Sequence, residues 1–266
     1  MRSGEKKGSL LWVLDKTDTS MGSRKLRQCI EQPLTDTAAI IRRHDAVEAL
    51  INNSAALYDI KTDLAKVYDL ERLMTRIIYK AANAKDVKAL GATCRILPQL
   101  KSDLSQISTQ LTRSLDKKIS PLDDIADLVE RAIADEPPAL MKDGGYIKNG
   151  FNEELDRLRN ITGGGKDLLA QIEQQEKEAT GIKNLRVGYN RVFGYYIEVS
   201  KGNVSMVPDR YVRKQTLTNG ERYITDELKK IENEILGAND KILALEAAIF
   251  AEVREFIAQR LDLIQQ

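Results

Sequence analysis

The sequence predicts a mainly α fold, a helical core bundle with two long antiparallel helices that carry a small inserted antiparallel β module. Three observations predict it. Up to about residue 135, apolar residues recur at helical spacing in segments separated by short polar or proline-containing breaks. One window, 181–223, is instead rich in β-branched and aromatic residues. From Ile224 onward, Leu228, Ile231, Ile235, Ala238, Ile242, Leu245 and Ile249 alternate in steps of four and three, the a/d seam of a coiled coil. Composition agrees, since 30% charged and 5% aromatic residues favour amphipathic helices over a β-sandwich.

In chain order, Asp18-Thr19-Ser20 is an N-cap cluster before a helix that Pro33 closes. Thr35-Asp36-Thr37 caps a segment whose apolar positions are Ile40, Ile41, Val47, Leu50 and Ile51. The pattern repeats over 57–67, 70–82, 87–97, 100–115 and 122–133, a bundle with brief connections. Composition shifts at Asp135-Glu136-Pro137-Pro138. A turn-rich piece follows, then helix over 151–161, an interruption at Gly163-Gly164-Gly165, and helix again over 166–180 with Gly181 as C-terminal cap. The runs 185–189 and 195–199 read as an antiparallel strand pair joined through Gly194. A third strand is expected over 211–217, ended by the turn pair Asn219-Gly220. From Glu221 to the end the pattern is one helix roughly 65 Å long at ~1.5 Å per residue. It outreaches a compact domain and should project, packed on the helix of 151–180.

The 266 residues allow one large domain or two ordinary ones. No apolar run reaches the ~18 residues of a membrane helix, and two cysteines make neither a disulfide framework nor a metal knuckle. A cytoplasmic location is the expectation. The catalytic inventory is nearly empty. His44 lies mid-helix beside Arg42, Arg43 and Asp45 and reads as a solvated side chain, while Cys29 and Cys94 read as buried small apolar residues. Gly163-Gly164-Gly165-Lys166 is not a phosphate loop: Asn160 stands where the first glycine belongs, and Asp167 where a Ser/Thr hydroxyl would bind Mg²⁺. No enzyme activity, metal or cofactor is expected of this chain.

The net charge of +1 conceals a division. Over 181–223 eight basic residues (Lys183, Arg186, Arg191, Lys201, Arg210, Arg213, Lys214 and Arg222) face three acidic ones, a net of +5 that leaves −4 for the rest. Six of the fourteen aromatics are there too: Tyr189, Phe193, Tyr195, Tyr196, Tyr211 and Tyr223. The tyrosines read as the core of the small module. Basic residues interleaved with Thr and Asn suit phosphate and sugar oxygens, although charges that are merely solvated give the same composition.

The run Val187-Gly188-Tyr189-Asn190-Arg191-Val192-Phe193-Gly194-Tyr195-Tyr196-Ile197-Glu198-Val199 resembles the clamp of the bacterial DNA mismatch-recognition MutS family. So does Arg213-Lys214-Gln215-Thr216-Leu217-Thr218-Asn219-Gly220-Glu221-Arg222-Tyr223-Ile224, followed by Glu227-Leu228-Lys229. Gly150-Phe151-Asn152-Glu153-Glu154-Leu155-Asp156 resembles the lever helix that enters the clamp. Leu14-Asp15-Lys16-Thr17, Met21-Gly22-Ser23-Arg24 and Glu31-Gln32-Pro33-Leu34 resemble the opening of the family's core domain.

The resemblance covers essentially the whole chain and implies a core with its first lever helix over 1–158, a clamp inserted over 159–222, and a second lever helix over 223–266. It implies contact with the backbone of double-stranded DNA, without sequence readout, through Lys183, Asn184, Arg186, Arg213, Lys214, Thr218 and Asn219. Thr218 departs from the basic residue that often precedes the clamp asparagine. The family's mismatch-reading, connector and ATPase domains have no counterpart here, so a middle fragment is expected, starting with Met1-Arg2-Ser3-Gly4 just before the core and ending at Gln266 on the lever helix. By the same resemblance, ATP and Mg²⁺, homodimerisation and a MutL-type repair partner belong to the full-length protein. The alternative is a helical structural scaffold whose basic tip binds an acidic protein partner.

Overall fold

The computed structural model describes residues 7–190, 192 and 194–265, and of 165–167 the backbone only. Arg191 and Phe193, counted above among the basic and aromatic residues, lie outside the described residues, as do Met1-Arg2-Ser3-Gly4 and Gln266. The chain is mainly helical with one small antiparallel sheet, and divides into two compact units, Met1–Lys148 with Ile249–Gln266, and Asn149–Ala248. Among the described residues, no helix is long and apolar enough to cross a membrane.

The first unit contains α1 (Leu10–Leu14), α2 (Ser20–Glu31), α3 (Thr37–Asn52), α4 (Ser54–Leu64), α5 (Leu70–Ile78), α6 (Ala84–Ser105), α7 (Gln110–Lys118) and α8 (Asp123–Ala132). The starts of α1 to α7 are set by side-chain caps, whereas α8 starts after a left-handed Leu122 without one. Thr19 accepts from the Gly22 N–H, Asp36 from Ala38 and Ala39, and Asn83 and Asp86 form a reciprocal capping box. The bundle expectation holds, with two corrections. Helix runs on through Pro98, so α6 joins 87–97 to the start of the expected 100–115 segment, and the remainder of that segment belongs to a separate helix, α7, capped by Thr109. Pro98 is on the exposed side, while Leu90, Cys94, Leu97 and Leu100 are buried, so packing of the other face carries the helix past the missing N–H. Gly91 lets α8 approach closely, because a Cβ there would sit 2.5 Å from a Val129 methyl.

In the second unit α9 (Glu153–Thr180) enters the sheet and α10 (Asp226–Ala258) leaves it, α10 crossing into the first unit at Ile249. The two helices run antiparallel: Arg159 meets Glu246, and Ile172, further along α9, shares a core with Leu228, Ile231 and Ile235. The expected break at Gly163-Gly164-Gly165 is absent, and α9 is continuous. A break would strand backbone N–H and C=O groups that the helix satisfies. The four strands are β1 (Arg186–Asn190), β2 (Gly194–Ser200), β3 (Val212–Thr216) and β4 (Gly220–Ile224), in the order β1-β2-β4-β3, all antiparallel. The central β4 corrects the expectation of helix from Glu221. Ile224 belongs to this strand, and α10 begins at Asp226 and ends at Ala258, short of the chain end. At ~1.5 Å per residue α10 is about 50 Å long. Of its seam, Leu228, Ile231, Ile235, Ala238, Ile242 and Ile249 are buried, and Leu245 is half-buried.

Candidate nucleic-acid interface

The sheet separates an inner face from an outer one by simple alternation. Ile197, Val199 and Tyr223 point inward onto Ile172, Ile182, Leu185 and Tyr211. Of the tyrosines expected in this core, Tyr211 and Tyr223 are buried and Tyr195 packs half-buried against it, but Tyr196 lies on the outer face beneath Arg222 and Tyr189 is exposed. On the outer face the register aligns Arg186, Glu198, Arg222 and Gln215 across all four strands.

Local structure explains which polar groups reach solvent. Gly181 closes α9 in the left-handed conformation (φ 71°). Ile182 and Leu185 then turn into the core, so Lys183 and Asn184 between them face outward. Ser200, at the end of β2, pairs with Gly220 at the start of β4. A Cβ on Gly220 would lie 2.5 Å from the Val199 carbonyl oxygen, so this close strand contact requires glycine. The Asn219 carbonyl accepts the Lys201 N–H over 3.0 Å, and the Leu217 N–H donates to the Gly220 carbonyl over 2.8 Å, closing the β3–β4 turn.

These constraints bring Asn184, Arg186 and Asn219 together, with Ser200, around a cleft of about 250 Å³ that is also lined by Glu198, Leu217 and Gly220. Lys183 is exposed next to Asn184, and Thr218 is exposed on the turn next to Asn219. Arg213 and Lys214 are not in the lining. They lie on β3, at the opposite edge of the sheet from β1. Lys214 is the extra residue of a bulge, since Arg213 pairs with Tyr223 and Gln215 with the next residue back, Arg222. Ser200, Lys201 and Asn203 were not singled out from the sequence as contacts. Only the register of Ser200 with Gly220 and the short turn of 3-10 helix over Lys201–Met206 bring them here.

The cations differ in what holds them. Arg210 pairs with the buried Glu176 on α9, which also accepts from the Tyr211 hydroxyl over 2.9 Å. Burial, then Glu176, raises the Tyr211 hydroxyl above its ordinary range. Arg213 pairs with Glu221 at 3.3 Å. Burial and the hydrogen bond to Glu221 push Tyr223 up to about 12. Arg222 pairs with Glu198 at 2.9 Å, donates to Gln215 over 3.0 Å and stacks 4.3 Å above the Tyr196 ring. Among the described residues, Lys183, Arg186, Lys201 and Lys214 make no ion pair. Glu173 on α9 protects the free edge of β1 by accepting the Val187 N–H over 2.9 Å. Lys177 first, and that N–H second, hold its carboxyl below the usual range.

The other chemically suggestive residues lie elsewhere. His44 is exposed on α3. Cys94 is buried as expected, whereas Cys29 is only half-buried, with Arg43 Nη1 3.5 Å from its sulfur.

Comparison with known proteins places the chain in a family. The family model described as MutS domain III matches residues 1–266. DNA mismatch repair protein MutS of Caldicellulosiruptor bescii is 50% identical over 261 residues, covering 98% of this chain and 30% of that protein. DNA mismatch repair protein MutS of Clostridium botulinum (strain Loch Maree / Type A3) is 47% identical over 267 residues, covering 100% of this chain and 29% of its own length. The chain thus spans less than a third of the length of these relatives. It belongs to the MutS family of DNA mismatch repair proteins and corresponds to their domain III.

Proposed function

We propose that the chain grips the sugar–phosphate backbone of duplex DNA, without reading sequence, as the clamp of a mismatch-repair protein. The observation that carries this reading is the gathering of side-chain amides and Arg186 around one cleft, with Lys183 and Lys201 next in chain to its lining residues, all three cations without an ion pair among the described residues. Amide and guanidinium donors suit phosphate oxygens and carry no base information. In this reading α9 and α10 are levers that join the clamp to an ATPase in the rest of the protein. ATP and Mg²⁺ are bound there, and the present chain binds and transmits without catalysing. A homodimer would bring two clamps to one duplex, each raising the other's effective concentration. A MutL-type protein would then receive the signal.

The test compares duplex binding by the 266-residue chain with that of a Lys183→Ala/Arg186→Ala/Lys201→Ala variant at about 50 mM salt. The reading expects the variant to bind at least about tenfold more weakly. Equal binding contradicts it. Preferential binding of an acidic polypeptide over duplex would favour the scaffold alternative.

A further inference from the structure

We propose that the Ser200 hydroxyl donates its hydrogen to a backbone phosphate oxygen of bound DNA, and that Asn203 is the positioning residue that turns it outward. The proposal rests on the cleft being the phosphate-contact site and names a donor within it.

Hydrogen-bond capacity sets which way the Ser200 hydroxyl points. A serine hydroxyl has two lone pairs and one hydrogen. Asn184 Nδ2 donates to Ser200 Oγ over 2.8 Å, and Asn203 Nδ2 donates to the same oxygen, more weakly, over 3.4 Å. Both lone pairs are thereby engaged, and the hydroxyl hydrogen is left to find an acceptor. Among the described residues none accepts it. Asn203 Nδ2 also donates to Asn184 Oδ1 over 2.7 Å, so the three side chains form one network in which Asn184 presents its NH₂ end to Ser200.

Position supports the same conclusion. Ser200 lines the cleft with Arg186 and Asn219, and its cross-strand partner Gly220 has no side chain to compete for the space. The one carboxylate in the lining, Glu198, is paired with Arg222 at 2.9 Å. An oxyanion in the cleft would therefore meet a guanidinium, an amide and a hydroxyl already committed to donating. Asn203 acts on that oxyanion only through Ser200, which it meets directly and by way of Asn184.

A neutral donor and a cation leave different traces in a salt titration. Removing a phosphate-bound cation lowers the salt slope by about 1, whereas removing a hydroxyl leaves the slope alone. Binding of a short labelled duplex is measured for Ser200→Ala, Ser200→Thr, Asn203→Ala, the Ser200→Ala/Asn203→Ala double variant and Arg186→Ala. The expected result for Ser200→Ala is about tenfold weaker binding with an unchanged slope. Ser200→Thr, which keeps the hydroxyl, binds like the parent chain. Asn203→Ala weakens binding, and the double variant is no weaker than Ser200→Ala alone. The proposal is overturned if Arg186→Ala weakens binding and flattens the slope but Ser200→Ala does neither. It is also overturned if Ser200→Thr is as weak as Ser200→Ala, or if the effects of Ser200→Ala and Asn203→Ala multiply. If Arg186→Ala changes neither affinity nor slope, the phosphate-contact reading fails as well.

Discussion

Arg159 on α9 and Glu246 on α10 form an ion pair between the two long helices, with the Glu246 side chain fully buried and that of Arg159 20% exposed. Arg159 also donates to Asn149 Oδ1 over 2.6 Å, so one guanidinium links α10 to the chain just before α9. A buried carboxylate that loses its cation is costly, whereas an apolar pair of similar volume is close to neutral. Arg159→Ala is therefore expected to destabilise the chain by about 3 kcal/mol in urea unfolding, and Arg159→Met/Glu246→Leu by less than about 1 kcal/mol. Equal losses would mean that packing, not charge, joins the helices here.

The three consecutive glycines of α9 make its middle weak. Gly163 and Gly164 are helical, and a Cβ on either meets nothing within 4 Å. Among the described residues, α9 buries no side chain between Leu158 and Ile172. Gly163→Ala and Gly164→Ala are each expected to stabilise the chain by about 0.5–1 kcal/mol and to slow amide hydrogen exchange along this stretch. Faster exchange in either variant would contradict a helical backbone at these positions.

Two glycines of the sheet should respond unequally to alanine. At Gly220 the added Cβ meets backbone, the Val199 carbonyl oxygen at 2.5 Å; at Gly188 it meets the Tyr196 ring at 2.8 Å, which can swing away. Thermal unfolding is expected to show a loss of about 2 kcal/mol for Gly220→Ala and a smaller one for Gly188→Ala. The reverse order would contradict the β2–β4 register.

Acid should loosen the edge of the sheet through Glu173. Its folded-state pKa is lowered by Lys177 and the Val187 N–H, so it contributes stability above the unfolded carboxyl pKa, about 4.3. That contribution is lost as pH falls through the folded value. Glu173→Gln is expected to be less stable than the parent at pH 7 and to lose less stability between about pH 5 and pH 2. Parallel stability curves for the two chains would contradict this.

The thiols offer a separate check on the core. Burial, then Asp124, pushes Cys94 up to about 12, while Cys29 is half-buried. A thiol reagent at about pH 8 is expected to modify Cys29 in the native chain and Cys94 only on unfolding. Rapid modification of Cys94 would contradict the packing of α6.

Much of this fold was legible in the sequence, and the misses have specific causes. β1 and β2 were readable because Val187, Tyr189, Tyr195, Ile197 and Val199 combine β-branched and aromatic side chains with alternation. β4 was missed because Ile224 stands four residues before Leu228, so one apolar side chain satisfies both the helical seam and the end of a strand. Pro98 and the glycine triplet read as breaks because local propensity says so, but packing on one face in α6 and the regular ends of α9 override it. Of the candidate contacts, the sequence indicated the basic window, yet it could not show which cations are held by Glu176, Glu198 and Glu221. That depends on long-range register, as does the placement of Ser200 and Asn203.

The most direct measurement of the central claim is the dependence of duplex affinity on salt between about 50 and 200 mM. With Lys183, Arg186, Lys201 and Lys214 unpaired among the described residues, a log–log slope between about −2 and −4 is expected. Arg186→Ala should flatten that slope by about 1, while Arg210→Ala, which removes a cation already tied to Glu176, should leave it unchanged. A slope near zero, or one that responds to Arg210 and not to Arg186, would contradict the account.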